Sequence, residues 1–216
     1  MALLFPAEEF AKLKEHLIVY QCALKNISTR IDILLEDFSN FQEYNPIEHV
    51  KTRLKSPESI ADKLHRQNLE LTAECARTKL TDIAGVRCIC SYEKDIAYIA
   101  DVLKRQPDIK VRSEKDYVTN PKPSGYRSYH LILDVPIYLT DKEECLPVEV
   151  QIRTQAMDFW ASLEHKVKYK YKDQMPDHLS NELVDCANKI AELDARMYLI
   201  QEIVDMAYLQ NDVNAN

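Results

Sequence analysis

Glycine is almost absent from this chain, and its absence restricts the folds that the chain can adopt. Only Gly85 and Gly125 occur in 216 residues, whereas an average soluble protein of this length has about fifteen glycines. The phosphate-binding loops of P-loop proteins and of dinucleotide-binding Rossmann folds each need several glycines within a short segment. The sequence therefore excludes both loops, and a nucleotide site in this chain would have to be built from side chains.

The rest of the composition indicates a single globular core. Hydrophobic residues make up 46% of the chain and charged residues 29%, and the mean hydropathy is −0.38. No apolar run approaches the roughly 18 residues of a membrane span, and the N-terminal apolar stretch is too short for a signal peptide. The cysteines include no Cys-x-x-Cys pair, and Cys88 and Cys90 alternate with polar neighbours like buried strand thiols. We therefore expect a cytoplasmic protein with no membrane segment.

Charge is distributed unevenly along the chain. Residues 1–45 contain four Lys or Arg and seven Asp or Glu, and residues 173–216 contain two and nine. Because the net charge of the whole chain is −7, residues 46–172 have a net charge of +3. A basic centre between acidic ends suits a phosphate-bearing ligand in a cleft better than a broad nucleic-acid surface. We expect one domain over 1–216, with an N-terminal helical segment, a central core and a C-terminal helix in these three ranges.

Both ends of the chain carry apolar residues at alternating spacings of three and four, the a/d pattern of long helices that pack at a shallow angle. The N-terminal seam consists of Phe10, Leu13, Leu17, Tyr20, Leu24, Ile27, Ile31, Leu34 and Phe38. The C-terminal seam consists of Leu179, Leu183, Cys186, Ile190, Leu193, Met197, Ile200, Val204 and Ala207. Each seam fits packing on the protein's own core as well as an oligomer interface.

Between the two ends the sequence predicts an α/β (α+β) fold. Ser56 and Pro57 have the pattern of a helix start, and the predicted helix reaches about Leu71. Strands are predicted at 85–91, 109–118, 129–138 and 146–153, and a helix near 94–105. A further helix is predicted over about 154–170, with a core stripe of Ala156, Phe159, Trp160, Leu163 and Val167. The simplest assembly is a mixed sheet of four or five strands flanked by helices.

The strand predicted at 146–153 has a polar face that carries Glu149, Gln151 and Arg153. A solvated strand face would have the same pattern, but a carboxylate, an amide and a guanidinium in one row can also bind a metal, a hydroxyl and a phosphate. Asp82 precedes the strand predicted at 85–91 and taken alone resembles an ordinary strand-entry residue. Paired with Glu149, it could hold Mg²⁺, which proteins bind through one or two carboxylates beside substrate phosphates.

Cationic side chains also cluster on the helix predicted from Pro57 and just before it. Ser59, Lys63 and Arg66 lie on one face of the helix predicted from Pro57, and Arg53 and Lys55 precede it. This face is either solvated or a cradle for a triphosphate beside the positive N-terminal end of the helix. Gly85 is expected to let another backbone approach closely.

The loop 121–130 contains two prolines and Gly125, which permits a turn. It presents cationic and aromatic side chains without an apolar period, among them Lys122, Tyr126, Arg127, Tyr129 and His130. Aromatic rings beside Lys and Arg suit a ligand that combines a base with phosphates.

Five ordered motifs resemble the synthetase domain of RelA/SpoT proteins. They are Thr-Asp-Ile-Ala-Gly-Val-Arg, Lys-Asp-Tyr-Val, Pro-Lys-Pro-Ser-Gly-Tyr-Arg-Ser-Tyr-His, Val-Glu-Val-Gln-Ile-Arg-Thr and Met-Asp-Phe-Trp-Ala-Ser-Leu-Glu-His-Lys. The whole chain is similar to the stand-alone small alarmone synthetases of that family, the RelQ and RelP types, which implies a nucleotidyltransferase-like fold. The resemblance implies a GTP diphosphokinase of the stringent response, which transfers pyrophosphate from ATP to the ribose 3′-hydroxyl of GTP or GDP and releases AMP.

The resemblance also implies roles for individual residues. Asp82 and Glu149 would hold Mg²⁺, and Glu149 would also take the proton of the 3′-hydroxyl. The residues expected at ATP are Arg53 and Arg87 around the adenine, and Lys55, Ser59, Lys63 and Arg66 near the phosphates. The residues expected at the guanosine nucleotide are Tyr126, stacked on guanine, together with Lys115, Lys122, Ser124, His130 and Gln151.

Other functions stay open at this point. A regulatory binding module would use the same pocket for nucleotides or single-stranded RNA, and a different nucleotidyltransferase would release pyrophosphate instead of AMP. The pair of Asp82 and Glu149 favours catalysis, and a pI near 5.4 argues against strong RNA binding. We expect no alarmone hydrolase activity, and the resemblance implies a homotetramer. The sequence does not indicate a preference among GDP, GTP and GMP, or regulation by product or RNA.

Overall fold

A five-stranded mixed sheet lies at the centre of the computed structural model, which describes residues 5–42, 44–171 and 175–214. The strands are, in chain order, β1 (Ile47–Leu54), β2 (Ala84–Cys90), β3 (Lys110–Asp116), β4 (Tyr129–Tyr138) and β5 (Glu143–Thr154). Their order in the sheet is β1-β2-β5-β4-β3; β2 and β5 are parallel, and the other neighbouring pairs are antiparallel. This architecture confirms the predicted mixed sheet and adds β1, which is not among the predicted strands.

Helices flank the sheet, and the first and last of them are long, as predicted. Within the described ranges they are α1 (Ala7–Phe41), α2 (Pro57–Arg66), α3 (Ala73–Lys79), α4 (Glu93–Lys104), α5 (Gln155–Tyr171) and α6 (Asp177–Asn214). None of these described helices combines the length and the apolar character that crossing a membrane requires.

Helix α2 begins where the sequence predicts but ends earlier. The hydroxyl of Ser56 accepts a hydrogen bond from the backbone N–H of Ser59 at 3.2 Å, and Pro57 occupies the first turn. The predicted helix extends to about Leu71, whereas α2 ends at Arg66. Asn68 has a left-handed backbone conformation with a φ of 52°, which an α-helix cannot include and which Asn tolerates better than most residues. This turn separates α2 from α3.

Helix α1 turns its apolar seam towards the interior of the molecule. It lies against β1, β2, β4 and β5. The seam residues that are fully buried in the main core are Leu13, Tyr20, Leu24, Ile27, Ile31 and Phe38. Complete burial of one large apolar side chain contributes about 1.5–3 kcal/mol, so these contacts account for the position of α1 on the sheet. The N-terminal seam therefore serves the protein's own core.

Helix α6, unlike α1, does not bury the whole of its apolar seam. It packs on α4 and α5, and the indole N–H of Trp160 donates a hydrogen bond to the carbonyl of Leu183 at 2.9 Å. Its inward face includes Ala187, which is buried, and Asp194, whose carboxylate accepts a hydrogen bond from the Thr154 hydroxyl at 2.6 Å. The C-terminal half of the predicted seam is exposed: Leu193, Met197, Ile200 and Val204.

The predicted core stripe of α5 is wrong at two positions. Phe159 and Leu163 are 60% and 42% exposed, whereas Trp160 is buried together with Met157, which lies outside the stripe. Apolar residues occupy more than one face of this helix, so their spacing did not indicate which face packs inwards. The contact between Trp160 and α6 decides the orientation.

The two faces of the sheet differ as the alternation along β5 predicts. Val148, Val150 and Ile152 are buried in the same core as the seam of α1. Glu149 and Gln151 point to the opposite face, which opens into a cleft.

Candidate active site

One row of paired positions crosses all five strands on the open face of the sheet. From β1 to β3 the row contains Lys51, Arg87, Gln151, His130 and Lys115. Directly paired positions on neighbouring strands point to the same face, so the sheet brings together side chains from five separate segments of the chain. Four of these residues were predicted from the sequence, and Lys51 was not.

A second row, two residues further along, forms the floor of the cleft. Arg53 pairs with Gly85, and Gly85 pairs with Glu149. The cleft has a volume of about 420 Å³, and the predicted residues that line it are Arg53, Lys55, Asp82, Arg87, Glu149 and Gln151.

Gly85 does not serve the close backbone approach that the sequence analysis expected. A Cβ atom at this position would meet only the backbone oxygens of Glu149 and Arg53, at ordinary contact distances of 3.7 and 3.9 Å. The expectation is therefore wrong. The glycine instead leaves open the floor of the cleft between Arg53 and Arg87.

Asp82 is surrounded by lysines at one end of the cleft. Its Oδ2 atom accepts hydrogen bonds from the ammonium groups of Lys55 and Lys63, each at 2.6 Å. Burial by itself would raise the pKa of Asp82, but the two lysines outweigh it, and the pKa lies below its ordinary value of 3.8. Burial lowers the pKa of Lys55, although Asp82 opposes this effect. The other carboxylate oxygen, Oδ1, is buried and has no hydrogen-bond partner among the described residues.

Both oxygens of Glu149 lie next to hydrogen-bond donors. The amide of Gln151 donates from Nε2 to Oε2 at 2.8 Å, and Nδ1 of His130 lies 3.3 Å from Oε1. Burial by itself would raise the pKa of Glu149, and Asp82 adds to that rise. His130 and Gln151 outweigh both effects, so the pKa lies below its ordinary value of 4.5. Glu149 is therefore ionised at neutral pH.

An aromatic cluster borders the cleft near the start of β4. The rings of Tyr126 and His130 are edge to face with their centroids 5.8 Å apart, and the ring of Tyr117 contacts both. The ammonium group of Lys122 lies 4.6 Å from the centroid of Tyr117 and 4.8 Å from that of Tyr126. The loop thus places aromatic rings beside positive charge, as the sequence predicts.

Arg153 points to the same face as Gln151 but is held inside the protein. Its side chain is 2% exposed, and its Nη1 atom lies 3.5 Å from Oδ1 of Asp158 on α5. The same oxygen accepts a hydrogen bond from Arg87 at 3.0 Å, and Lys51 lies 3.7 Å from Oδ2. The suggestion that the guanidinium of this row binds a phosphate is therefore wrong for Arg153, because its charge is paired within the fold.

Three predicted residues lie away from these clusters. Ser59 accepts a hydrogen bond from the Ser56 hydroxyl at 3.1 Å at the start of α2. Arg66 is exposed at the end of α2, where its Nε atom donates to the carbonyl of Asp62 at 3.4 Å. Ser124 faces α5 and α6 in a small pocket outside the cleft. The binding roles implied for these three residues stay predictions.

Asp82 and Glu149 fit a magnesium ion. Mg²⁺ takes oxygen ligands and is usually held by one or two carboxylates together with substrate phosphates. The buried Oδ1 atom of Asp82, which has no partner within the described ranges, is a ligand of this kind. The oxygens of Glu149 each keep a second lone pair beyond the one that accepts from Gln151 or His130. These two residues would hold the ion.

Three residues of this region were not predicted from the sequence, although the sequence contains a signal for each. Lys51 has the same alternation as Arg53 and Lys55, which would have indicated the strand β1. Asp158 is an acidic residue within an otherwise apolar stretch. Tyr117 belongs to the Lys-Asp-Tyr-Val motif but was assigned no position in the site.

Known proteins match this chain over most of its length. Residues 52–174 match the family model described as a region found in RelA / SpoT proteins. GTP pyrophosphokinase YwaC of Bacillus subtilis is 45% identical over 192 residues, which cover 89% of this chain and 91% of that protein.

Two solved structures share the fold. Small alarmone synthetase 2 from Bacillus subtilis has a TM-score of 0.80 and 43% identity over 88% of this chain and 97% of its own. Small alarmone synthetase 1 from the same organism, bound to its product pppGpp, has a TM-score of 0.84 and 32% identity over 89% and 97%. These matches confirm the family, the fold class and the enzyme class that the sequence predicts. The chain belongs to the RelA/SpoT family.

Proposed function

We propose that this chain is a GTP pyrophosphokinase that synthesises pppGpp or ppGpp. The ribose 3′-oxygen of GTP or GDP attacks the β-phosphorus of ATP, the bond from that phosphorus to the oxygen bridging to the α-phosphate breaks, and AMP leaves. The observation that carries this proposal is the position of Glu149. It shares one row of the cleft floor with Arg53 and Gly85 and contacts His130 on the aromatic side.

The side of the cleft formed by β1 and β2 suits ATP. Arg53 and Arg87 border the gap at Gly85, where a flat adenine can lie between guanidinium groups. Lys55 and Lys63 stand at the Asp82 end of the cleft and supply positive charge for the triphosphate. Side chains thereby replace the glycine-rich loop that other nucleotide sites use.

Mg²⁺ is the proposed cofactor, held by Asp82 and Glu149. When bound, it supplies positive charge against the phosphate oxygens that become more negative during transfer. Lys55 and Lys63 keep Asp82 ionised, which is the form that binds a cation.

The side of the cleft formed by β4 and β3 suits the guanosine nucleotide. Tyr126 offers its ring for stacking on guanine, and Lys122 lies against the same ring. Lys115 ends the row that starts at Lys51 and adds positive charge for the phosphates. Gln151 and His130 connect this side to Glu149.

Glu149 is the proposed general base for the 3′-hydroxyl. Because its pKa lies below the ordinary value, it is a weak base and takes the proton while the new P–O bond forms. His130 and Gln151 hold the carboxylate in place during this step.

A product assay tests the proposal. Purified protein is incubated with ATP, Mg²⁺ and either GDP, GTP or GMP, and the nucleotides are resolved by anion-exchange chromatography. We expect AMP and a more highly phosphorylated guanosine nucleotide in equal amounts, and the three rates measure substrate preference. Release of pyrophosphate would indicate a different nucleotidyltransferase. Absence of both products from folded protein, also with pppGpp added, would indicate a nucleotide-binding module.

Glu149→Gln should abolish synthesis, with a fall in kcat of about 10²- to 10⁴-fold, because an amide cannot accept the proton. The fold should persist, which circular dichroism and the melting temperature would check. Glu143→Gln, at the exposed start of the same strand, is the matched control and should keep its activity. Turnover near that of the wild type in folded Glu149→Gln protein would remove Glu149 from this role.

We also propose that the chain self-associates through α6. The exposed half of its seam, Leu193, Met197, Ile200 and Val204, is apolar and faces away from the described remainder of the molecule. Large exposed apolar surfaces of this kind usually mark interfaces. A tetramer is the assembly that the family resemblance implies.

A further inference from the structure

We propose that Tyr117 forms a second wall of the guanine pocket, and that the ammonium group of Lys122 occupies this pocket until the base displaces it. This inference rests on the proposed function, which places guanine on the ring of Tyr126. Tyr117 belongs to the Lys-Asp-Tyr-Val motif, and the proposed function does not use its side chain.

The backbone around Tyr117 is fixed where β3 ends. Oδ1 of Asp116 accepts hydrogen bonds from the N–H groups of Val118 and Thr119, at 2.8 and 3.0 Å. The N–H of Tyr117 donates to the carbonyl of Ser128 at 3.1 Å, directly beyond the last pair of β3 and β4. A turn that is closed by its own aspartate and tied to the sheet gives the side chain of Tyr117 a fixed point of attachment.

The rings of Tyr117 and Tyr126 form an aromatic corner. Their centroids are 6.2 Å apart, and the angle between their planes is 68°. Tyr126 is anchored from the interior, because its phenol oxygen accepts a hydrogen bond from Nη2 of the buried Arg153 at 2.8 Å. Both tyrosines are only partly buried. A flat base stacked on Tyr126 would meet Tyr117 at the same angle, which is close to the edge-to-face arrangement that aromatic rings prefer.

The ammonium group of Lys122 lies in this corner. It is 4.6 Å from the centroid of Tyr117 and 4.8 Å from that of Tyr126, both within the range of cation–π contacts. The other cation near the ring of Tyr126 is Arg153, which is buried, whereas Lys122 is exposed. Lys122 therefore covers the side of the ring that a ligand from solvent would reach.

Displacement of Lys122 favours the base. One exposed cation–π contact raises an affinity about two- to fivefold, whereas stacking of a base on an aromatic side chain raises it about five- to 150-fold. Guanine would therefore replace the ammonium group on the ring of Tyr126, and the freed lysine becomes available to the phosphates of the same nucleotide. Guanosine has no phosphates and gains nothing from the freed lysine, so its affinity reports on the base pocket alone.

Guanosine binding to the full chain, measured by titration calorimetry, tests both parts of the inference. Lys122→Ala empties the corner, so guanosine should bind about three- to thirtyfold more tightly than to the wild type. Addition of Tyr117→Ala to this variant removes the second wall and should weaken binding about five- to twentyfold. Addition of Tyr117→Phe instead keeps the ring and should leave the affinity unchanged. Lys110→Ala, at an exposed lysine of β3, is the matched control and should bind like the wild type.

The place of Lys122 can also be tested in the wild type, so the test stays decisive if a tyrosine variant does not fold. The chain is labelled with ¹³C-lysine, and Lys122→Ala identifies the signals of Lys122. Protons that lie over aromatic rings are shifted upfield. The ε-methylene protons of Lys122 should therefore lie upfield of those of the exposed Lys110, and should move back when GDP is added.

Several results would overturn the inference. They are ε-methylene protons of Lys122 at ordinary positions or unmoved by GDP, and guanosine that binds Lys122→Ala no more tightly than the wild type. Equal affinities of Lys122→Ala with and without Tyr117→Ala would remove Tyr117 from the pocket. If the product assay gives no AMP, the proposed function fails, whereas guanosine binding still decides whether the corner holds a base. If AMP forms without this binding pattern, only the inference fails.

Discussion

A missing side chain shapes the nucleotide cleft at Gly85. The residue is the second of β2 and has ordinary backbone geometry, and a Cβ atom there would make only ordinary contacts with two backbone oxygens. It is paired with Arg53 and Glu149, and Arg87 follows two positions later on the same face. The strand therefore does not need glycine for its backbone, and the space above it is the reason to keep the position small.

Replacement of Gly85 should separate folding from function. Gly85→Ala and Gly85→Val should keep or raise the melting temperature, because glycine in a strand costs about 0.5–1 kcal/mol relative to alanine. The added carbons occupy the floor between Arg53 and Arg87, so the KM for ATP should rise, and more for valine than for alanine. Steady-state kinetics beside thermal melts measure both effects. An unchanged KM for ATP in Gly85→Val would show that adenine does not lie there.

The sequence predicts which face a side chain takes more reliably than how deep it lies. Alternation along β5 placed Glu149 and Gln151 correctly, and Cys88 is buried as predicted; burial raises its thiol pKa to about 12, so it stays unreactive at neutral pH. The same alternation suggested a phosphate contact for Arg153. That suggestion failed because Asp158, which pairs with Arg153, lies on the helix after the strand.

Among the elements, the loop before β4 is held in shape by its own backbone and by α6. The N–H of Gly125 donates to the carbonyl of Lys122 at 2.8 Å, and the N–H of Lys122 donates to the carbonyl of Tyr126 at 3.1 Å. Gly125 has a φ of +87°, as the predicted turn requires. A Cβ atom there would lie 2.5 Å from Cβ of Ala187 on α6. The turn and the packing of α6 therefore both depend on this glycine.

Gly125→Ala should destabilise the protein by about 1–3 kcal/mol, because it adds backbone strain and a clash with α6. The change should also raise the KM for the guanosine substrate, since Tyr126 follows directly in the chain. Gly125→Ala combined with Ala187→Gly removes the clash but keeps the strain, so it should recover only part of the stability. Chemical denaturation measures all three proteins. Full recovery in the double variant would show that the backbone conformation contributes nothing.

For the molecule as a whole, the two apolar seams differ in burial although their sequence patterns are alike. The seam of α1 is largely buried against the sheet, whereas Leu193, Met197, Ile200 and Val204 of the α6 seam are exposed. The acidic character of 173–216 means that an assembly through α6 brings negative charges together, so salt should favour it.

Ile200→Asp should weaken self-association while leaving the monomer folded, because it places a charge in the exposed apolar face. Light scattering after size-exclusion chromatography should show a lower mass than for the wild type at the same concentration. Ile18→Asp, the same change at an exposed isoleucine of α1, is the control and should leave the mass unchanged. A monomeric wild type at micromolar concentration would contradict the interface. A tetrameric state, regulation by single-stranded RNA and a cytoplasmic location stay predictions.

The sequence by itself determined the family through its five motifs, the mixed sheet, the long helices and the polar face of β5 that carries Glu149 and Gln151. Only the tertiary structure decided where α2 ends and which face of α5 packs inwards through Trp160. It also decided that the C-terminal half of the α6 seam is exposed and that Arg153 is paired with Asp158. The physical reason is that periodicity reports the faces of one element, which depend on local geometry. Depth and pairing depend on contacts between elements that are distant in the chain, and no local pattern records them.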